Sequence, residues 1–464
     1  MKRSVTCILA VVLLLLVAAA GPASAGKDDS PNVIRMTVRP AGEPVPALKY
    51  RLLPELLEQT PGNAALLYYR MLDRIDGKDD AEQLEEWLEM PPGELPRKEV
   101  KALLGRYRAV LDETRRAARR DHCDWAFPFR EEGFALTLPP LTKLRHLGWL
   151  LALRARLQMA EGDTDQAVHT LQTGFAFARH QADGTLLVNG LVGVGIANRM
   201  LQQVQQLSQM PDAPNLYWAL ATIRPPAIDL QRGVQYEMDG IYLWSPALRN
   251  VRTGRGLTEE QWQDFLGLAL GAGKDTHRKL QAVALSIKLY PHAKQYLASR
   301  GYSRRQIDEM PVRRALATYV VETSQRISHD VYKWFLLPYR EAHPGIREGE
   351  KVIRRAAVDP AMPGFPLTML LPALGRAYFL QVRLDRRIAA LRCVEAVRMY
   401  AAAHDGKLPA KLLDVREPPI PLNPATGEPF AYQAAGNKFT LIAGAPPDMS
   451  PRETDRYEVT VIAK

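Results

Sequence analysis

The chain has 464 residues, of which 61 are Lys or Arg and 51 Asp or Glu, with three Cys, 47% hydrophobic and 24% charged side chains. Three cysteines are too few for a disulfide-stapled miniprotein, and the apolar content is too high for a mostly disordered chain. The length is enough for two or three domains, or one large helical assembly, with ample residues to bury a core.

Lys2 and Arg3 precede an uncharged run over 5–20, then Gly21-Pro22 and the small-residue triplet Ala23-Ser24-Ala25. The run is shorter than the ~20 apolar residues of a membrane span. The pattern is that of a secretory signal peptide with cleavage between Ala25 and Gly26, an uncleaved anchor being the alternative. Loss of 1–25 takes the net charge from +10 to +8 and leaves Cys123 and Cys393, which an oxidising compartment would allow to pair. The best later apolar stretch, 186–197, is interrupted by Asn189 and three glycines, so no transmembrane segment is expected after cleavage.

Residues 26–45 are polar and rich in Pro and Gly, an extended linker with one short strand expected at 33–38. Leu48, Leu52, Leu53, Leu56 and Leu57 recur at helical spacing and predict a first helix. Asn63 is placed to cap a helix over 64–75, and 81–90 forms another, closed by Pro91-Pro92. From Pro96 to Arg120 one helix is expected, with Val100, Leu103, Leu104, Tyr107, Leu111 and Ala118 on one side. Arg97, Lys101, Arg108, Arg115 and Arg119 fall on the other, and between 97 and 120 nine basic residues face three acidic ones. That side reads as a contact for an anionic polymer or as a solvated face; the absence of interleaved aromatic residues favours the solvated face.

Helices over 144–160 and 164–180, joined at Glu161-Gly162-Asp163, resemble one tetratricopeptide helix hairpin, although no fixed repeat period follows. The helical run 186–210 carries Gly190, Gly193 and Gly195 in the order G-x-x-G-x-G. A phosphate loop needs a different order after a strand, so close helix packing is expected. Beyond a junction at Pro225-Pro226, helices are expected over 228–243, 258–270, 275–299, 303–308 and 311–337, the second and fourth opened by capping boxes at Thr258/Gln261 and Ser303/Gln306. Prolines make 338–366 loop-rich, and a long helix over 367–403 follows. The tail changes character: turn chemistry from Lys407 to Pro429, a hairpin of 430–433 with 438–442, and a third strand at 457–462.

The expected fold is mainly α, a helical and partly tetratricopeptide-like body with a small C-terminal α+β module. The expected divisions are 1–25, 26–45, 46–225, 226–366 and 367–464.

No H-E-x-x-H, C-x-x-C or G-x-S-x-G occurs, so no metal or cofactor is expected. The densest polar cluster is Asp121-His122-Cys123-Asp124, but neighbouring side chains on a helix diverge, and Cys123 reads as buried or disulfide-bonded. The seven tryptophans read as core more readily than as a ligand groove.

The stretch AALRCVEAVRMYAAAHDGKLPAKLLDV, with PLNPATGEPFAYQAAGNKFTLIAGAP after it, resembles the soluble end of type II secretion pseudopilins: a helix, a D-G-K-x-P turn, an N-P-x-x-G-x-P-F-x-Y loop and a hairpin. It covers about 389–446. It departs from that family in having a large helical domain ahead of the module. Nearly all the rest, including PALKYRLLPELLEQTPGNAALLYYRML and the LRARLQMAEG hairpin, is similar to a family of uncharacterised exported bacterial helical proteins, a resemblance that implies no activity. The expectation is an exported binding or scaffold protein with a protein or peptide partner on its helical surface. The alternatives are an exported hydrolase of envelope polymer and an accessory of a secretion apparatus.

Overall fold

The computed structural model describes residues 30–75, 80–128, 141–184, 186–244, 258, 276–358 and 367–463. The leader with its Ala25/Gly26 junction, the body of the helix expected over 258–270 and part of the 338–366 segment lie outside them.

The architecture is mainly helical with a small sheet. In chain order the elements are β1 (Asn32–Val38), β2 (Thr60–Asn63), α1 (Ala64–Leu72), α2 (Ala81–Glu89), α3 (Arg97–Arg106), α4 (Arg108–Ala117), β3 (Arg120–His122), α5 (Leu141–Ala160), α6 (Thr164–Ala182), α7 (Leu187–Leu207) and α8 (Tyr217–Ala221). Then follow α9 (Gln231–Trp244), α10 (Thr276–Ser299), α11 (Arg304–Glu309), α12 (Val312–Tyr332), α13 (Tyr339–Val358), α14 (Leu367–Ala403), β4 (Ala431–Ala435), β5 (Lys438–Ala443) and β6 (Asp455–Val461). By packing, the described residues of 30–126, 141–233 and 379–463 form one compact unit, and those of 127–128 and 234–378 another; divisions read from composition at 225/226 and 366/367 do not coincide with these.

Local chemistry explains most boundaries. The Asn63 side chain accepts the Ala65 amide and starts α1. Ser303 and Gln306 exchange bonds with each other's backbone amides to open α11. The α5–α6 turn places Gly162 at a φ of +78°, a conformation glycine adopts without penalty.

In the first unit the core gathers around α5, α6 and α7, where Leu150, Leu153, Leu171, Phe177, Val194 and Met200 are buried. A Cβ on Gly193 would lie 2.5 Å from the Ala178 carbonyl oxygen, and one on Gly190 would lie 2.3 Å from Leu230. Gly193 permits close approach of α7 to α6, and Gly190 leaves room for the Leu230 side chain.

Four strands in the order β1-β6-β5-β4 make the main sheet, and β2 and β3 pair parallel in a second, two-stranded one. β1 runs parallel to β6, 423 residues further along the chain, with Met36 opposite Val459, so the C-terminal module is completed by β1. Met36, Phe439, Leu441, Tyr457 and Val459 are buried on one face. Beneath them Asp455 is held by Arg386 at 2.9 Å and Arg387 at 2.8 Å from α14. The N-P-x-x-G-x-P-F loop closes on itself: Asn423 Oδ1 accepts the Ala425 amide, and its Nδ2 donates to the Gly444 carbonyl.

The second unit is helical, with Leu297, Ile307 and Ala315 packed together where α10, α11 and α12 meet.

Three expectations need correction. Residues 48–57 form no α-helix: only Leu52 is buried, while Leu56 and Leu57 are 82% and 95% exposed. Pro46 and Pro54 break the run, and Gln172 Nε2 donates instead to the free Leu53 carbonyl at 3.2 Å. The single helix over 96–120 is two, with a break at Tyr107 (φ −99°, ψ 11°). In the loop-rich 338–366 segment, α13 runs through Pro344, because Tyr339, Ala342, Ile346 and Ile353 form a buried face that outweighs the lost backbone bond.

Candidate functional site

The first unit carries a cleft of about 780 Å³ walled by four separate segments. They are 48–59, the β3 start with Arg120 and Asp121, the α6 face with Ala176, Arg179, His180 and Asp183, and the α8 end with Trp218, Thr222 and Arg224.

Each wall has a traceable anchor. Segment 48–59 is fastened to α6 through Glu58, whose Oε2 accepts Gln172 Nε2 at 3.1 Å; Arg119, which donates to Gln172 Oε1 at 3.1 Å, lies 3.8 Å from Glu58 Oε1. The Thr222 hydroxyl accepts the Leu52 amide at 3.3 Å, joining this segment to α8. Downstream of α8, Asp385 of α14 accepts the Ala227 amide at 2.8 Å and Arg179 Nε donates to the Ala227 carbonyl at 3.1 Å. The β3 wall is set by the Gly62 amide, which donates to Asp121 at 3.0 Å.

Behind the His180 wall the packing is aromatic and buried. The Tyr68 hydroxyl bonds His180 Nδ1 at 2.9 Å, and Trp125 Nε1 donates to the His180 carbonyl at 2.8 Å. Tyr68 stacks on Trp125 with ring centroids 5.7 Å apart. Burial pushes His180 down to about 4, so the imidazole is neutral and structural at ordinary pH.

The charged groups on the walls divide into two sets. Arg51 pairs with Glu55 at 2.6 Å, and Asp121 holds His122 at 2.7 Å, which together with the Gly62 amide lowers the Asp121 carboxyl. Arg120 donates to the Pro61 carbonyl. In contrast, Arg224 and Asp183 have no ion pair within 4 Å among the described residues, and Arg179 commits only its Nε. Crowding by the wall raises the Asp183 carboxyl, and the guanidinium groups of Arg232 and Arg179 only partly offset this. The cleft thus presents charge of both signs that no close ion pair engages among the described residues, beside Leu48, Leu53, Leu56 and Trp218.

The residues singled out in the sequence lie elsewhere. Cys123 and Cys393 are both free and buried, and the structure does not join them as a disulfide. Burial raises both thiols, Cys123 further through Asp183 and Asp124, which disarms them as nucleophiles. Of the basic set, Arg119 is turned inward against His169 at 2.8 Å and Gln172, and Lys101 pairs with Glu161. Arg97, Arg108 and Arg115 remain exposed with no ion pair among the described residues. The polyanion contact therefore loses two of its five members. Trp218 forms part of the cleft wall, whereas Trp125 is core.

Among the described residues no group of three or more His, Cys, Asp or Glu side chains could hold a metal, and no helix is long and apolar enough to cross a membrane. Sequence reading missed the cleft because its walls are distant in the chain; only the Arg179/Asp183 pair was accessible, as i and i+4 positions at the end of one helix. No family model, curated protein or solved structure matches the chain.

Proposed function

We propose that this is an exported binding protein whose recognition element is the mixed-charge cleft of the first unit. One observation carries the reading: four chain segments, each separately anchored, converge their charged side chains and a tryptophan on one cavity of ligand size. Export rests on the leader pattern at residues 1–25. The tetratricopeptide-like hairpin of α5 and α6 contributes one wall, in keeping with a protein or peptide partner. A thermal-shift panel of peptides, saccharides and anionic polymers tests it. A ligand should raise the Tm of the native chain but act more weakly on Arg224→Ala; shifts equal in both proteins would refute the cleft as the site.

A hydrolase of envelope polymer is the second reading, favoured by the opposite displacement of two carboxyls lining the same cleft, Asp121 lowered and Asp183 raised. Release of soluble fragments from purified envelope, abolished by Asp183→Asn, would establish it. An anionic-polymer contact narrows to Arg97, Arg108 and Arg115. A secretion-apparatus role rests on the C-terminal resemblance, in a module whose sheet includes β1.

A further inference from the structure

We infer that the cleft takes a zwitterion of the amino-acid type, a short peptide with free termini being the fullest match; this rests on the binding reading above. Arg51 and Glu55 neutralise each other, Asp121 is engaged by His122 and the Gly62 amide, and Arg120 is spent on the Pro61 carbonyl. What remains for a ligand is Arg224, the outer guanidinium nitrogens of Arg179, and the Asp183 carboxylate.

A polyanion would find the arginines but would also meet the Asp183 carboxylate on the same wall, and like charges at close range oppose binding. A neutral apolar ligand would strip water from Asp183 and Arg179 without replacing those bonds, which is costly. A molecule with a carboxylate at one end and an ammonium at the other meets both demands: guanidinium groups suit a planar carboxylate, and Asp183 suits the ammonium. The crowding that disfavours ionised Asp183 is relieved by a bound cation. Between the charged ends, Leu48, Leu53, Leu56 and Trp218 offer surface for apolar side chains. About 780 Å³ leaves room for more than one residue, so a peptide fits better than a free amino acid.

The test is calorimetry on the full chain with four probes: the tripeptide Leu-Ala-Leu, its N-acetyl form, its C-terminal amide, and free leucine. The free tripeptide should bind tightest, and each blocked form should bind at least ~10-fold more weakly. Asp183→Asn should abolish discrimination against the N-acetyl form only, and Arg224→Ala discrimination against the amide only. Both substitutions lie at exposed positions, so the variants keep the fold. Blocked and free peptides binding alike, with Arg224→Ala still weakening both, would overturn the zwitterion while leaving the cleft as a binding site. Heparin binding that Arg224→Ala weakens, with no peptide bound, would do the same. Binding of every probe unaffected by either substitution would remove both the inference and the reading beneath it. Tighter binding of free leucine than of tripeptide would overturn the peptide assignment.

Discussion

The Asp455 carboxylate lies 2.9 Å from the Arg386 guanidinium, and both side chains are fully enclosed where strand β6 meets helix α14. Arg387 donates to both Asp455 oxygens, Arg383 stands 3.9 Å away, and Asn32 Nδ2 of β1 donates to Oδ1 at 2.8 Å. One carboxylate thereby ties the first strand of the chain, the last strand and the long helix together. A buried ion pair of this kind is costly to break from one side, because the remaining charges stay buried without a partner.

Asp455→Ala should lower stability by about 3–5 kcal/mol, measured by urea denaturation. Burial alone would raise the Asp455 carboxyl, but the Arg387, Arg386 and Arg383 guanidinium groups overcome that and hold it well below the ordinary value of 3.8. The folded state therefore binds this proton more weakly than the unfolded chain. Its stabilisation is complete above the ordinary carboxylate range and declines as pH falls below about 4. Between pH 5 and 3 the native chain should lose stability more steeply than Asp455→Ala; parallel curves would contradict the linkage.

Asp385 behaves in the opposite sense. Burial pushes its carboxyl up to about 7, against the lowering effect of the Ala227 amide and Arg179. The folded state holds this proton more tightly than the unfolded chain, so the stability contributed by this group is fully present below about pH 4 and is lost as pH rises through about 7. Asp385→Asn retains an oxygen for the Ala227 amide and should remove this component, worth on the order of 2–4 kcal/mol at pH 8. Equal slopes of stability against pH between 5 and 8 in the two proteins would count against it.

The α6–α7 contact supplies a packing test. Gly193→Ala places a methyl group against a backbone carbonyl that cannot turn aside, and should cost about 1–3 kcal/mol. At Gly195, two residues on, a Cβ meets nothing within 4 Å. Gly195→Ala should therefore stabilise by about 0.5–1 kcal/mol through helix propensity. Comparable melting temperatures for the two variants would show that the helices are not this close.

Cys123 and Cys393 should react with a thiol reagent only after unfolding, and without prior reduction, in a chain that begins at Gly26. Two thiols titrated in guanidinium and none under native conditions is the expected count. No thiol in guanidinium would mean that the two are bonded.

Elements with a strong period of their own were legible in the sequence. The α5–α6 hairpin, α7, α14 and the β4–β5 hairpin stand within a few residues of the expected bounds, because apolar spacing and turn residues act locally. Errors arose where tertiary contacts outweighed local signals. Five leucines at helical spacing promised a helix over 48–57, but the segment spends its backbone on Gln172 and Thr222 and leaves Leu56 and Leu57 in water. Pro338 and Pro344-Gly345 suggested a loop, whereas Gly345 lets α13 close against the Trp334 ring. The β1–β6 pairing links residues over 400 positions apart and leaves no periodic trace. The cleft is hidden for the same reason: Arg179 and Asp183 share a helix face, but nothing in their neighbourhood announces Arg224 or segment 48–59.

The central claim is that the mixed-charge cleft is where this protein meets its ligand. Hydrogen–deuterium exchange of the full chain, with and without saturating Leu-Ala-Leu, addresses it most directly. The account predicts slowed exchange in 48–59, 118–121, 176–183 and 218–224, with the exposed basic face of α3 and α4 unchanged. Protection confined to α3 and α4, or to the outer face of the sheet, would contradict it.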